Sequence, residues 1–210
     1  MTTESVDLLD DLNIDVATPE QYVDGGSTPL PKGDYRLRLN EWRLAKNKAG
    51  EIINPKNPIV ELVDCEVAEG PHTGRKLMFQ RVFTTPYERN GVTVSGFGDL
   101  IRAIDVTANW QGKEGFTILD QARDQGRTFV ARVDWEARDQ DYEEQLLAGR
   151  QMRDLPKAEQ KDIRKKSTIK GMNKFPKRAD GSYDPVVKGP SGATLEARAT
   201  IQGFIRSDKG

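Results

Sequence analysis

The sequence predicts a mainly β protein whose short antiparallel strands close into a small five-stranded barrel. Three observations indicate this fold. Apolar and polar residues alternate over several segments, glycine- and proline-rich turns separate these segments, and a helical pattern follows the third strand. Short antiparallel strands must close or cover their edges, and a small barrel does so economically. A β-sandwich stays open as an alternative, because strand order alone does not decide closure.

The first strand carries the clearest alternation. Leu37 and Leu39 share one face of the segment 34–44 with Tyr35. Arg36, Arg38 and Trp42 are predicted to share the other face. This pattern is typical of a half-buried strand whose outer face presents cations and an aromatic ring. The second and third strands are predicted over residues 58–67 and 75–84.

Helical patterns occur in two places. Ser95 precedes apolar residues at helical spacing up to about Val106, and Thr117 is predicted to cap a short second helix over residues 118–123. Strand alternation returns over 127–136. A charged, helix-compatible insertion over 139–168 and a closing strand over 195–202 follow. A helix between strands 3 and 4, with the insertion before the last strands, matches an OB-fold-like Greek-key barrel, whose strands bind nucleic acid across one face.

The charge distribution divides the chain into an acidic arm and a basic body. The formal net charge is −1, yet residues 1–24 carry seven acids and no base, which leaves 26 acids against 32 bases elsewhere. We therefore predict an arm and linker over residues 1–28 and a binding domain over 29–206. An acidic arm can compete with a polyanion for a basic surface, can recruit a partner, or can simply keep a tail solvated.

Several functional classes are excluded by composition. The longest apolar runs are three residues, too short for a membrane span, and no Lys or Arg occurs in the first 31 residues, unlike a secretory or mitochondrial leader. One Cys and one His argue against an internal disulfide and a structural zinc site. We expect a cytoplasmic protein without cofactor or enzymatic activity.

The densest basic stretch covers residues 161–178, where eight bases accompany the single acid Asp162. Residues 169–177 do not resemble a helix and are predicted to be extended. Phe175 lies among these cations. Lysine and arginine neutralise phosphates while aromatic faces stack on unpaired bases, so this composition suits a single strand. Phe175 is therefore interpreted as a stacking residue, whereas Trp135, in an apolar row, is interpreted as core.

The candidate nucleic-acid-binding residues combine these cations with aromatic side chains. Trp42 could instead pack against a neighbouring loop or helix, and the strand arginines could pair with nearby acids. The candidates are Arg36, Arg38, Trp42, Arg81, Phe83, Arg132, Lys170, Lys174, Phe175, Lys177 and Arg178.

Three segments resemble bacteriophage-encoded single-stranded DNA-binding proteins of the OB-fold type. They are Pro31-Lys32-Gly33-Asp34-Tyr35, the turn Glu69-Gly70-Pro71-His72-Thr73-Gly74-Arg75-Lys76-Leu77, and Lys170-Gly171-Met172-Asn173-Lys174-Phe175-Pro176. The resemblance covers roughly residues 29–205. It implies sequence-independent binding of single-stranded DNA during replication or recombination in a phage-infected bacterial cell.

Two other functions compete with this hypothesis. A metal-dependent nuclease needs clustered carboxylates, and Glu61, Asp64 and Glu66 lie in one strand, although Glu61 is expected on the opposite face. A structural or inhibitor protein could act through its acidic arm as a DNA mimic. RNA stays open as a ligand, because stacking and phosphate contacts discriminate weakly against a 2′-hydroxyl group. The chain is expected to be a monomer or a homodimer, with a replication or recombination protein as the partner of residues 1–24.

Overall fold

The computed structural model describes residues 28–89, 91–108 and 113–206 of the 210-residue chain. The acidic arm predicted over residues 1–28 thus lies almost wholly outside the described residues. No helix in the described part of the chain is long and apolar enough to cross a membrane.

The described residues form two compact units. The sheet unit comprises residues 28–134 and 199–206, and the C-terminal unit comprises residues 135–198. The second unit is longer than the insertion predicted over 139–168, because the chain on both sides of that insertion also packs within it.

The described chain is mainly β, with four α-helices. The strands are β1 (Gly33–Leu44), β2 (Ile59–Val67), β3 (Lys76–Phe83), β4 (Tyr87–Arg89), β5 (Val92–Val94), β6 (Thr128–Arg138), β7 (Thr168–Lys170), β8 (Val186–Lys188), β9 (Thr194–Glu196) and β10 (Arg198–Ile205). The helices are α1 (Gly96–Ile104), α2 (Lys113–Asp124), α3 (Gln140–Leu147) and α4 (Lys157–Ser167).

The main sheet follows the order β10-β6-β1-β2-β3, and β1 pairs antiparallel with both β2 and β6. The prediction of an antiparallel β-rich fold is confirmed. Among the described residues no strand pairing joins β3 to β10, so the ladder does not close into a barrel. Instead the buried side-chain amide of Gln80 bridges them: it accepts from Ile201 N–H at 2.9 Å and donates to the Ala199 carbonyl at 3.3 Å.

The helices between β3 and β6 cover the core of the sheet unit. Ser95 caps α1 by accepting a hydrogen bond from Gly98 N–H at 2.8 Å, and the helix begins at Gly96, next to the Ser95 that the sequence placed at its start. Leu100 and Ile101 of α1 are fully buried with the inner residues of β1, β2, β3 and β6. The second helix begins at Lys113 rather than after Thr117, so Thr117 lies inside α2 and the predicted cap is wrong.

The first strand changes faces halfway along its length. Its pairing with β2 is irregular between Leu39 and Glu41 and between Glu41 and Trp42. Leu39 is buried before the irregularity, whereas Trp42 packs against the core after it. An extra residue in a strand moves every later side chain to the other face. The predicted common face of Arg36, Arg38 and Trp42 is therefore wrong.

The third strand also reverses which of its faces is buried, at the level of the sheet where β1 and β2 pair irregularly. Leu77 is buried before the change, and Gln80 and Val82 are buried after it. Phe79, between them, has a backbone φ of +52°, which is rare for a bulky residue. The sheet thus bends along one line across its strands, and this bend decides which side chains face outward.

The C-terminal unit is built around the end of β6. β7 pairs with that end, α3 and α4 precede β7, and a short 3-10 turn, Met172–Lys174, follows it. The predicted helical character of 139–168 agrees with α3 and α4, whereas the extended conformation predicted for 169–177 holds only to Lys170. Trp135 is 2% exposed and contacts Phe175 edge-on, with ring centroids 5.3 Å apart. The interpretation of Trp135 as core is confirmed.

Asp139 joins two segments of the C-terminal unit. Its buried carboxylate accepts a hydrogen bond from the backbone N–H of Tyr142, in the first turn of α3. It also accepts hydrogen bonds from the backbone N–H and the hydroxyl group of Ser191, and all these distances are 2.8–2.9 Å. Burial alone would raise the pKa of Asp139, but these hydrogen bonds hold the pKa below its ordinary value. The ionised carboxylate therefore ties the loop around Ser191 to the start of α3.

We expect Asp139→Asn to remove a pH-dependent part of the stability. A carboxyl group with a lowered folded pKa stabilises above its unfolded pKa of about 3.9, and this contribution is lost as pH falls through the folded value. The urea midpoints of wild type and variant are measured from pH 6 down to about pH 2.5. The difference between the two midpoints should shrink as the pH falls below about 4. At pH 6 the variant should be less stable by about 1–3 kcal/mol. A constant difference at every pH would contradict this role of the carboxylate.

Candidate nucleic-acid interface

Trp42 is directed to the core of the sheet unit instead of outward. Its indole stacks on Phe116 of α2, with ring centroids 5.9 Å apart and planes 11° from parallel. Its indole N–H donates to Asp120 Oδ1 at 3.2 Å. This is the alternative in which Trp42 packs against a helix. The prediction of Trp42 as an outward stacking residue is corrected, because the irregularity in β1 turns it over.

Most of the predicted strand arginines already pair with a carboxylate. Arg36 Nε lies 2.9 Å from Glu69 Oε1, and Arg132 Nε lies 3.0 Å from Asp34 Oδ1. Asp34 is the residue directly opposite Arg132 in the β1–β6 pairing. Because these pairs are exposed, each is weak, and a phosphate could replace the carboxylate at small cost.

Arg81 and Phe83 follow the bend of β3, and neither is fully buried. Arg81 Nε lies 3.4 Å from Glu61 Oε1, and its side chain is 23% exposed. Arg38 differs from the other candidate arginines, because its exposed side chain forms no ion pair among the described residues. Arg38 is therefore the predicted cation of β1 that stays available to an anion.

Phe175 is the second aromatic candidate that the structure removes from the surface. It is 4% exposed and packs on Trp135 in a small core that also includes Ala137. The prediction of Phe175 as a stacking residue is wrong, since the short turn after β7 folds its ring inward. The flanking cations remain outside, so the basic segment presents charge without a stacking platform.

The basic segment contains both paired and unpaired cations. Lys170 Nζ lies 3.3 Å from Glu136 Oε2, and Arg178 Nη2 lies 3.4 Å from Asp184 Oδ1. By contrast, four exposed lysines form no ion pair within the described chain; we call them the unpaired lysines, and they are Lys161, Lys165, Lys174 and Lys177.

The unpaired lysines occupy two neighbouring stretches of the C-terminal unit. Lys161 and Lys165 are four residues apart on α4 and thus lie on one helix face. Lys174 ends the 3-10 turn, and Lys177 follows it. Lys166, on the same helix, is neutralised by Asp162 at 2.7 Å. The sequence identified Lys174 and Lys177 as candidates, but burial and pairing were needed to add Lys161 and Lys165.

Sequence reasoning also missed two aromatic residues with exposed or partly exposed rings. Tyr87 is 50% exposed on the β4–β5 hairpin, and Phe79 is partly exposed on β3. The Asn90-Gly91 dipeptide between short alternating segments is a strong hairpin signal and could have revealed the first of these. Phe79 carries no such signal, because its exposure depends on the irregular backbone.

Two of the three carboxylates that suggested a nuclease are engaged with cations. Glu61 pairs with Arg43 and Arg81, and Asp64 Oδ2 lies 2.5 Å from Lys76 Nζ. Among the described residues no group of three His, Cys, Asp or Glu side chains is placed to hold a metal ion. Cys65 is buried, and this burial raises the pKa of its thiol.

Comparison with protein-family models, with curated proteins and with solved structures finds no match for this chain. The class that its own residues define is a β-rich protein with an antiparallel sheet and a helical unit that presents exposed, unpaired lysines.

Proposed function

We propose that this protein binds single-stranded DNA without sequence preference and acts in replication or recombination, as phage-encoded single-stranded DNA-binding proteins do. The observation that carries the proposal is the set of unpaired lysines, Lys161, Lys165, Lys174 and Lys177, in the C-terminal unit. Lysines without a carboxylate partner neutralise phosphates without first breaking an ion pair, and binding releases counterions from the nucleic acid.

The order of the sheet gives the proposal further support. β1, β2 and β3 follow one another, α1 and α2 come before β6, and β10 is last. A helix between the third and fourth sheet strands is the order expected of an OB-fold-like barrel, a fold that binds single strands. The Gln80 bridge between β3 and β10 supports the same arrangement.

The proposal is tested by titrating a fluorescently labelled oligo-dT with the full chain and following anisotropy at several salt concentrations. If the four lysines each neutralise a phosphate, the logarithm of affinity should fall with the logarithm of salt at a slope of about −3. A labelled oligonucleotide is preferable to tryptophan quenching, since Trp42 is stacked on Phe116 and Trp135 is buried.

Two comparisons complete this experiment. Duplex DNA of the same sequence length should bind more weakly, and oligo-rU shows whether RNA is accepted equally. A slope near zero, or tighter binding of the duplex, would contradict the proposed function.

A further inference from the structure

We propose that the outer surface of β1, β2 and β3 beyond the bend holds one nucleotide of the single strand. In this site, Phe79 stacks on the base while Arg43 and Arg81 bind the adjoining phosphate. We call this group of residues, with Glu61, the Arg43–Phe79 site. The inference rests on the proposed function and adds to it a base-stacking position that the C-terminal unit lacks.

The two arginines are held in one row across the sheet. Arg43 of β1 pairs directly with Glu61 of β2, and Glu61 pairs directly with Arg81 of β3. Arg43 Nη2 lies 2.7 Å from Glu61 Oε2, and Arg81 Nε lies 3.4 Å from Glu61 Oε1. The side chains need no long reach to meet, because their backbones are already in register.

The charges in this row are unequal. One carboxylate serves two guanidinium groups, so the row carries a net charge of +1. The Glu61 side chain is only 5% exposed, whereas that of Arg43 is 55% exposed. The buried carboxylate orients the arginines from below and leaves guanidinium N–H groups directed to solvent. A phosphate accepts paired N–H groups from such a planar cation, which makes this row an anion site.

The aromatic ring lies directly beside the row. The Arg43 guanidinium carbon is 5.7 Å from the centroid of the Phe79 ring, within the range of a cation–π contact. The guanidinium therefore lies over the ring, which stays partly exposed. A base would stack on the face of Phe79 that the guanidinium does not cover, with its phosphate within reach of the arginines.

The backbone at Phe79 provides an independent indication. Its φ of +52° costs roughly 1–2 kcal/mol for a residue other than glycine. Strained residues of this kind cluster at functional sites, where the surrounding structure maintains them. Here the unusual backbone is what lets β3 bury Leu77 before Phe79 and Val82 after it. The strained, partly exposed position of this apolar ring thus supports the proposed stacking role.

The occupant is an unpaired nucleotide, because only that ligand uses both parts of the site. A free phosphate or an acidic peptide would engage the arginines and leave the ring idle. A base pair in a duplex would hide the faces that the ring needs. Comparing oligo-dT with an abasic oligonucleotide of equal length separates these contributions.

The first test is Phe79→Asn, since asparagine tolerates a positive φ and removes the ring. Stacking on one aromatic side chain corresponds to a change in affinity of about five- to one-hundred-fold. We expect the variant to bind oligo-dT more weakly by this factor and to bind the abasic strand as wild type does. Phe79→Gly also tolerates the positive φ and should give the same result. Agreement between the two variants would show that the loss comes from removing the ring and not from the new asparagine side chain.

The second test is Arg43→Gln, which should weaken binding of both oligonucleotides and reduce the salt slope by about 0.7. Its matched control is Arg123→Gln on α2, where the arginine pairs with Asp120 and Asp124; this variant should bind as wild type does. Thermal unfolding of every variant confirms that it is folded.

The results distinguish the two proposals. If wild type fails to bind oligo-dT, the proposed function is wrong, and this site is wrong with it. If wild type binds while folded Phe79 variants lose nothing, or lose equally on the abasic strand, the proposed function stands and the Arg43–Phe79 site is wrong.

Discussion

Replacing Lys161, Lys165, Lys174 and Lys177 together with glutamine should weaken oligo-dT binding by roughly 100- to 1,000-fold at 0.1 M salt. Each lysine that contacts a phosphate releases about 0.7 of a counterion from a single strand, and this release is worth about fivefold in affinity at that salt concentration. The factors in affinity for the four contacts multiply to give the expected total. In the same anisotropy titration the salt slope should become shallower by about 3, and the remaining slope is that of the arginine contacts.

The matched control for this variant removes three other exposed lysines, which lie in the sheet unit and also form no ion pair among the described residues. Lys46, Lys56 and Lys113 form no ion pair within the described chain, and their replacement by glutamine lowers the net charge in a similar way. We expect a loss of less than about threefold in total. If this control loses as much affinity per lysine as the first variant, the attraction depends on net charge and not on the unpaired lysines.

Gly189→Ala should produce a large loss of stability in the C-terminal unit. A Cβ atom at this glycine would lie 2.1 Å from Asp139 Oδ2 and 2.8 Å from Leu195 Cδ1. The carboxylate cannot withdraw without breaking its hydrogen bonds to Ser191 and to the start of α3. We therefore expect the free energy of unfolding to fall by about 2–4 kcal/mol.

The measurement is chemical denaturation of wild type and variant at neutral pH, and the control is Gly203→Ala. A Cβ atom at Gly203 would meet nothing within 4 Å, so its free energy of unfolding should change by less than about 0.5 kcal/mol. Equal midpoints for wild type and Gly189→Ala would show that the segment around Ser191 is not held against Asp139 in solution.

The regular elements were predictable because their signals are local. Alternation identified β1, β2, β3 and β6, and the Ser95 cap located the start of α1. These features depend on neighbouring residues in the chain, where side-chain period and backbone conformation are tied together. The start of α2 was misplaced since its first residues carry no apolar pattern.

The candidate site was predictable only in part. Arg38, Lys174 and Lys177 are exposed and form no ion pair within the described chain, which leaves them available to a phosphate. Trp42 and Phe175 are not available, because an irregular strand and a short turn direct their rings inward. Neither irregularity is visible in the residue pattern, which assumes a constant period along each segment.

The amino-acid sequence by itself determined the β-rich class, the position of the helices between strands, and the basic character of residues 161–178. Only the tertiary structure decided which cations are neutralised by a carboxylate and which aromatic rings face outward. Pairing depends on residues far apart in the chain, as with Arg43, Glu61 and Arg81 in one row of the sheet. Exposure depends on a bend that reverses the faces of β1 and β3, and a single-residue irregularity is sufficient to cause that reversal.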